Sequence, residues 1–183
     1  MSKISDLTFK NKKHYITQNY SNNHKATDYG TNRLKINIYP IEDGKVVNVY
    51  KDSYGANVVK IYYPRINKTF TYAHLDKVNV KKNQLVNQDT IIGTTGMTGK
   101  ATGIHLHLAI YDNSKKKYLD PEIYSKEYTI PNNYITYIVQ KGDNLTKIAK
   151  KFNTTWQKIY EDNKQVIGNN PNLIYPNQQL IIK

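Results

Sequence analysis

Thr102-Gly103-Ile104-His105-Leu106-His107-Leu108-Ala109-Ile110 decides the reading of this chain. Ile104, Leu106, Leu108 and Ile110 recur with a period of two, which predicts a β-strand packing its aliphatic face on a core. Successive side chains of a strand point to opposite faces, so His105 and His107 share the other face, about 7 Å apart along the strand. Upstream stand His24-x-x-x-Asp28 and Tyr72-Ala73-His74-Leu75, so four of the five histidines fall into one arrangement with a carboxylate. Two imidazoles and a carboxylate are the set that holds a catalytic zinc while leaving one coordination position open for water. One strand histidine can bind the metal while the other stands beside the bound water. Asn22, Asn23 and Gly30 surround His24 and Asp28, a composition that predicts an irregular loop for both. His14 is left over and reads as an ordinary surface residue.

From His14 to Tyr124 the sequence resembles the lysostaphin/LytM-type zinc endopeptidases that cut peptidoglycan peptides. Besides the histidine motifs, the resemblance is carried by Pro40-Ile41-Glu42-Asp43-Gly44-Lys45-Val46-Val47, Tyr54-Gly55-Ala56-Asn57-Val58-Val59, Val86-Asn87-Gln88-Asp89-Thr90-Ile91-Ile92-Gly93 and Gly96-Met97-Thr98-Gly99. It implies a β-rich catalytic domain of antiparallel sheets, with the metal in an open groove. By the same resemblance His24, Asp28 and His107 are the zinc ligands, and His74 and His105 are catalytic, handling protons or stabilising the transition state. The family places a glycine two residues after the first ligand, where this chain has Ala26. It also uses a tyrosine upstream of that histidine to stabilise the oxyanion, and both Tyr15 and Tyr20 stand there.

Zinc lowers the pKa of its water towards about 7 and polarises a carbonyl. No His-Glu-x-x-His segment supplies a glutamate base, so proton transfer falls to imidazoles, whose reference pKa near 6.5 suits it.

A second pattern begins at Tyr137-Ile138-Val139-Gln140-Lys141-Gly142-Asp143-Asn144-Leu145, a short strand ending in a turn. Leu145, Ile148, Ala149 and Phe152, then Trp156, Ile159 and Tyr160, recur at helical spacing, and Gln179-Leu180-Ile181-Ile182 closes the unit as a strand. The order βααβ, with Asn163 and Leu173-Ile174-x-Pro176-x-Gln178-x-Leu180, resembles the LysM module, a small α+β domain. The resemblance implies a partner, the N-acetylglucosamine-containing glycan of peptidoglycan. It places Gly142, Asp143, Asn144 and Leu145 on one side of the groove, and Asn172, Leu173 and Ile174 on the other. Asp143 also reads as a helix cap accepting backbone N–H bonds, and Trp156 as a packing residue of the second helix.

The expected layout is an N-terminal extension (1–13), a zinc endopeptidase domain (14–125), a linker (126–134) marked by Pro131 and two asparagines, and a LysM domain (135–183). Cysteine is absent, which excludes disulfides and thiolate metal sites. Lys+Arg number 27 against 14 Asp+Glu, a net +13 that favours polyanionic surroundings. The lysines are scattered and no nucleic-acid motif is visible, so a wall bearing anionic polymers fits better than nucleic acid. No apolar run is long enough to span a membrane, and Met1-Ser2-Lys3-Ile4-Ser5-Asp6-Leu7 has no signal-peptide core. With no export signal, the pairing of catalytic domain and wall-binding module looks like a bacteriophage lysin or a virion-associated tail enzyme with other tail proteins as partners, located in the virion or in the host cytoplasm before lysis; a mature secreted autolysin with its leader trimmed would lack the signal too. The alternative is a non-catalytic wall-binding or virion structural protein that keeps the peptidase fold as scaffold.

Overall fold

The computed structural model describes residues 3–128 and 135–182. The chain divides into two compact units. In chain order the first contains α1 (Ile4–Phe9), β1 (Tyr15–Gln18), β2 (Thr27–Gly30), β3 (Asn37–Ile38), β4 (Gly44–Lys51), β5 (Asn57–Tyr63), β6 (Lys68–Leu75), β7 (Lys77–Val78), β8 (Leu85–Val86), β9 (Gly93–Thr94), β10 (His105–Asp112), β11 (Lys117–Leu119) and α2 (Pro121–Glu127). The second contains β12 (Ile135–Ile138), α3 (Leu145–Lys151), α4 (Trp156–Ile167) and β13 (Gln179–Ile182).

The first unit is built on an antiparallel sheet in the order β1-β2-β10-β6-β5-β4-β8, with β11 also pairing β10, and a small β3-β9-β7 sheet beside it. This is the β-rich architecture expected. The strand with the two histidines, β10, lies between β2 and β6. Its Leu106, Leu108 and Ile110 are fully buried beside Ile61, Phe70 and Tyr72, so the alternation read in the sequence holds here and leaves the histidines on the opposite face. Asp28 departs from the loop expectation. It lies on β2, because that segment pairs with β10 on one side and β1 on the other and is buried throughout. His24 does sit in an irregular turn, closed by reciprocal backbone hydrogen bonds with Ser21.

Residues expected to form the N-terminal extension include α1, whose Ile4 and Phe9 are fully buried. His14 is no ordinary surface residue: its ring stacks on Phe9 at 4.6 Å and meets Tyr29 edge-on. Of the expected linker, residues 126–127 continue α2 and Tyr128 is buried, its hydroxyl donating to Glu42 Oε2 at 2.9 Å. The rest, 129–134, lies outside the described residues.

In the second unit β12 and β13 pair antiparallel, and two helices complete the βααβ order expected. Val139, Leu145, Ile148, Ala149, Ile159, Ile167, Leu180 and Ile182 form its core. Asn163 is buried within it and fully bonded. Its Nδ2 donates to the Ile159 and Ile181 carbonyls and its Oδ1 accepts from the Ile181 N–H, all at 2.7 Å. Burying an amide is tolerable only on such terms. Among the described residues no helix is long and apolar enough to cross a membrane.

Candidate metal centre and active site

Residues paired directly across strands point to the same side of a sheet, and two such rows build the site. One runs Gln18, Asp28, His107, Ala73 across β1, β2, β10 and β6; the next runs Tyr15, Gly30, His105. Asp28 and His107 are therefore immediate neighbours, with Oδ1 2.9 Å from Nδ1. His24, reaching in from its turn, places Nε2 3.3 Å from Asp28 Oδ2. These three residues offer donor atoms within 4.8 Å of one another.

The donor set fits a metal ion for a further reason. Asp28 Oδ1 lies 2.9 Å from His107 Nδ1 and is a buried carboxylate atom with no well-aligned hydrogen-bond donor among the described residues. An unsatisfied buried carboxylate oxygen facing a ring nitrogen is costly, unless a cation lies between them. One carboxylate and two imidazoles suit zinc. Burial alone would raise the Asp28 carboxyl, but the adjacent His107 and the fields of His24 and His105 outweigh it and hold the group below its ordinary value. Asp28 is thus present as the anion a metal needs.

His74 reaches the site by a device that alternation does not anticipate. Tyr72 is buried in the core, so strict alternation along β6 would send His74 inward as well. The register of β5 against β6 slips between Asn57↔Leu75 and Val59↔Tyr72, leaving Ala73 and His74 opposite Val58 alone. His74 adopts φ +63 there. This β-bulge turns the imidazole to the metal face while Leu75 returns to the core. The His74 ring centroid is then 4.8 Å from that of His105 and 5.6 Å from that of His107.

Backbone carbonyls orient three of the four rings. His74 Nδ1 is 2.7 Å from the Thr98 carbonyl, His105 Nδ1 2.8 Å from Gly103 O and His24 Nδ1 3.2 Å from Asn19 O. A carbonyl can only accept, so each ring donates through Nδ1–H and keeps an Nε2 lone pair for the site. Burial also lowers the His74 pKa, which keeps that lone pair available. Thr98 is itself held, with Oγ1 donating to Leu75 O and accepting from the Asn57 N–H, and the Asn57 amide donates to Leu75 O. Gly99 presses so closely on Ala56 that a Cβ would lie 2.5 Å from it.

Beside the histidines opens a cleft of about 370 Å³, lined by Tyr15, Asp28, Arg33 and His105 among others. Gly30 makes the gap, since a side chain there would strike Thr17 at 2.7 Å and the Tyr15 ring at 2.9 Å. Sequence reasoning missed Gly30. Its signal was a glycine two residues beyond Asp28 in a segment that is in fact a strand. The two candidate tyrosines separate: Tyr15 lines the cleft, whereas the Tyr20 hydroxyl donates to Tyr118 O at 3.3 Å.

The expected glycan-groove residues divide differently. Gly142 at φ +88, Asn172 and Leu173 are exposed. Leu145 is 4% exposed and Ile174 packs against the same core, which leaves mainly backbone for a ligand at Leu145. The cap of α3 is Asn144, whose side chain accepts from Lys147 N, not Asp143. Asp143 instead accepts from the Tyr137 hydroxyl and the Gln140 N–H, which fixes the turn one residue before the helix. Trp156 is 38% exposed in the first turn of α4, outside the packed cluster expected to hold it.

The profile of peptidase family M23 matches residues 22–121, and that of the LysM domain matches residues 137–183. Over 87 residues the chain is 41% identical to the peptidoglycan DD-endopeptidase ShyB of Vibrio cholerae; the match covers 48% of this chain and 20% of ShyB. The chain thus spans about a fifth of the length of that relative. A zinc-containing peptidase from Vibrio cholerae superposes with a TM-score of 0.54 at 29% identity, covering 64% of this chain and 37% of that one. The catalytic domain of lysostaphin from Staphylococcus simulans superposes with a TM-score of 0.53, also at 29% identity, covering 64% of this chain and 95% of its own. With its family profile matched over more than half its length, the chain belongs to peptidase family M23 and carries a C-terminal LysM domain.

Proposed function

We propose that this chain is a zinc-dependent endopeptidase that hydrolyses peptide bonds of bacterial peptidoglycan and is held on the wall through its LysM domain. The observation that carries the reading is the convergence of the donor atoms of His24, Asp28 and His107, with the rings of His74 and His105 beside them, each tied through Nδ1 to a backbone carbonyl.

His24, Asp28 and His107 would hold the zinc, which supplies an activated water and a Lewis acid for the scissile carbonyl. The chain's own groups do the rest. His105, its Nδ1 proton tied to Gly103 O, has Nε2 positioned to accept a proton from the nucleophile and return it to the leaving amine. His74, tied to Thr98 O, presents a second imidazole whose ring centroid is 4.8 Å from that of His105. Tyr15, across Gly30 from His105, is positioned to donate its phenolic hydrogen to the oxyanion. In the LysM domain Gly142, Asp143, Asn144, Asn172, Leu173 and Ile174, with the Leu145 backbone, form the glycan-binding edge.

Mass spectrometry of muropeptides released from purified walls tests the reading. New amino termini in the peptide, abolished by a chelator and restored by zinc, are expected; release of sugar-bond products, or none from any wall chemotype, would overturn it. Delivery as a phage lysin or tail component is part of the proposal. Detection of the chain in purified particles separates a tail component from a free lysin.

A further inference from the structure

The cleft that opens beside His105 holds one feature that metal binding and proton transfer do not use. Thr31–Leu34 is a tight turn in which the Leu34 N–H donates to Thr31 O at 3.0 Å and both central residues have positive φ, Asn32 at +53 and Arg33 at +65. Two-residue turns of this type are the province of Asn and Gly, because a side chain at positive φ is crowded by its own backbone. Asn32 suits the first position. Arg33 does not suit the second, and the turn is over-determined in its favour: the Thr31 and Thr95 hydroxyls both donate to Leu34 O, at 2.6 and 3.1 Å. Both threonines are buried, at 1% and 0% exposure. Backbone strain that the surroundings impose in this way gathers at binding sites.

The strained residue lines the cleft together with Tyr15, Asp28 and His105. Its charge is also uncommitted. Among the described residues no carboxylate lies within ion-pair distance of Arg33, whereas Lys35, two residues on, is paired with Asp76 at 2.8 Å. Asp28, the one carboxylate lining the cleft, already faces His24, His105 and His107. A guanidinium is planar, always charged and shaped to take a carboxylate through two parallel hydrogen bonds.

We propose that Arg33 is a specificity-determining residue that binds a free carboxylate of the peptide substrate within a residue or two of the scissile bond. The enzyme therefore favours peptides that carry a free carboxylate close to the scissile bond over uncharged ones. This inference rests on the peptidase reading above, and adds to it the chemical class of peptide that is cut.

The test uses the zinc-loaded full chain and two cross-linked stem peptides, one with its carboxylates free and one with the same groups amidated. Wild type, Arg33→Ala and Arg33→Lys are each assayed for kcat and KM on both. Dissociation constants are measured by calorimetry for uncleavable versions in which the scissile amide is reduced. Wild type should bind and cut the acidic peptide better. Arg33→Ala should raise its KM and Kd about ten- to hundred-fold, with kcat little changed, and leave the amidated peptide unaffected. Arg33→Lys should recover part of the loss. The amidated peptide reports on folding in every variant. Equal losses on both peptides in Arg33→Ala, or a wild type indifferent to amidation, would overturn the proposal. A wild type that cuts neither peptide yet binds the acidic one through Arg33 would overturn the peptidase reading, and with it the specificity role, while retaining Arg33 as the carboxylate-binding residue.

Discussion

At the scale of single residues, the proposed ligands and the proposed proton handlers differ in what their loss should remove. Asp28 and His107 are joined across one rung of the sheet, so His107→Ala should cost zinc stoichiometry and activity together. His74→Ala should keep the zinc and lose roughly two to four orders of magnitude in rate; metal content by plasma emission beside wall-lysis rates distinguishes the two. Burial holds the His74 pKa below 6.5, so the ring remains a proton acceptor as the pH falls through that value and charges only further down. The His74-dependent acid limb of kcat is therefore expected below pH 6.5, and a limb centred above it would contradict the assignment. Gly30→Ala should keep the metal, because no ligand moves, yet lower kcat by displacing the Tyr15 ring that its Cβ would meet at 2.9 Å; parallel metal and rate measurements decide it. Residue types and spacing pointed to two imidazoles and a carboxylate, and the resemblance singled out His24, Asp28 and His107, which the fold brings within 4.8 Å of one another. The roles proposed for Gly30 and Arg33 were not legible, because one depends on an absent side chain and the other on a backbone conformation.

At the scale of elements, what alternation could reach was the strand it described. His105 and His107 share a face because β10 is regular. His74 shares that face only because β6 is not, and a bulge is set by its partner strand and the Thr98–Asn57 contacts rather than by the local pattern. The same holds for Asp28, whose strand exists through its two neighbours. In the LysM domain Asn163 was visible as part of a motif, but its partners on β13 lie far along the chain. Asn163→Leu would leave the Ile181 N–H and C=O buried without partners, at a cost of about 1–3 kcal/mol each. Faster amide exchange confined to α4 and β13 is the expected outcome, with zinc content unchanged; protection equal to wild type would mean that water or repacking replaces the amide.

At the scale of the whole molecule, activity and targeting should separate. A chain ending at residue 129 should cleave soluble peptides at the normal rate but lyse intact walls poorly, because the LysM domain raises local concentration without touching the bond that breaks. Sedimentation of the full chain with walls should persist in moderate salt, since sugar contacts are screened less than the attraction of a +13 chain to anionic polymers. Binding that vanishes with salt, and survives removal of glycan, would mean that charge does the targeting. The rung shared by Asp28 and His107 has a further thermodynamic consequence. An ion held between β2, β10 and the His24 turn binds only the folded first unit, and so adds RT ln(1 + [Zn]/Kd) to that unit alone. In scanning calorimetry a chelator should therefore shift one heat-absorption peak to lower temperature and leave the LysM peak where it was, so that the gap between the two peaks becomes a gauge of how tightly the metal is held.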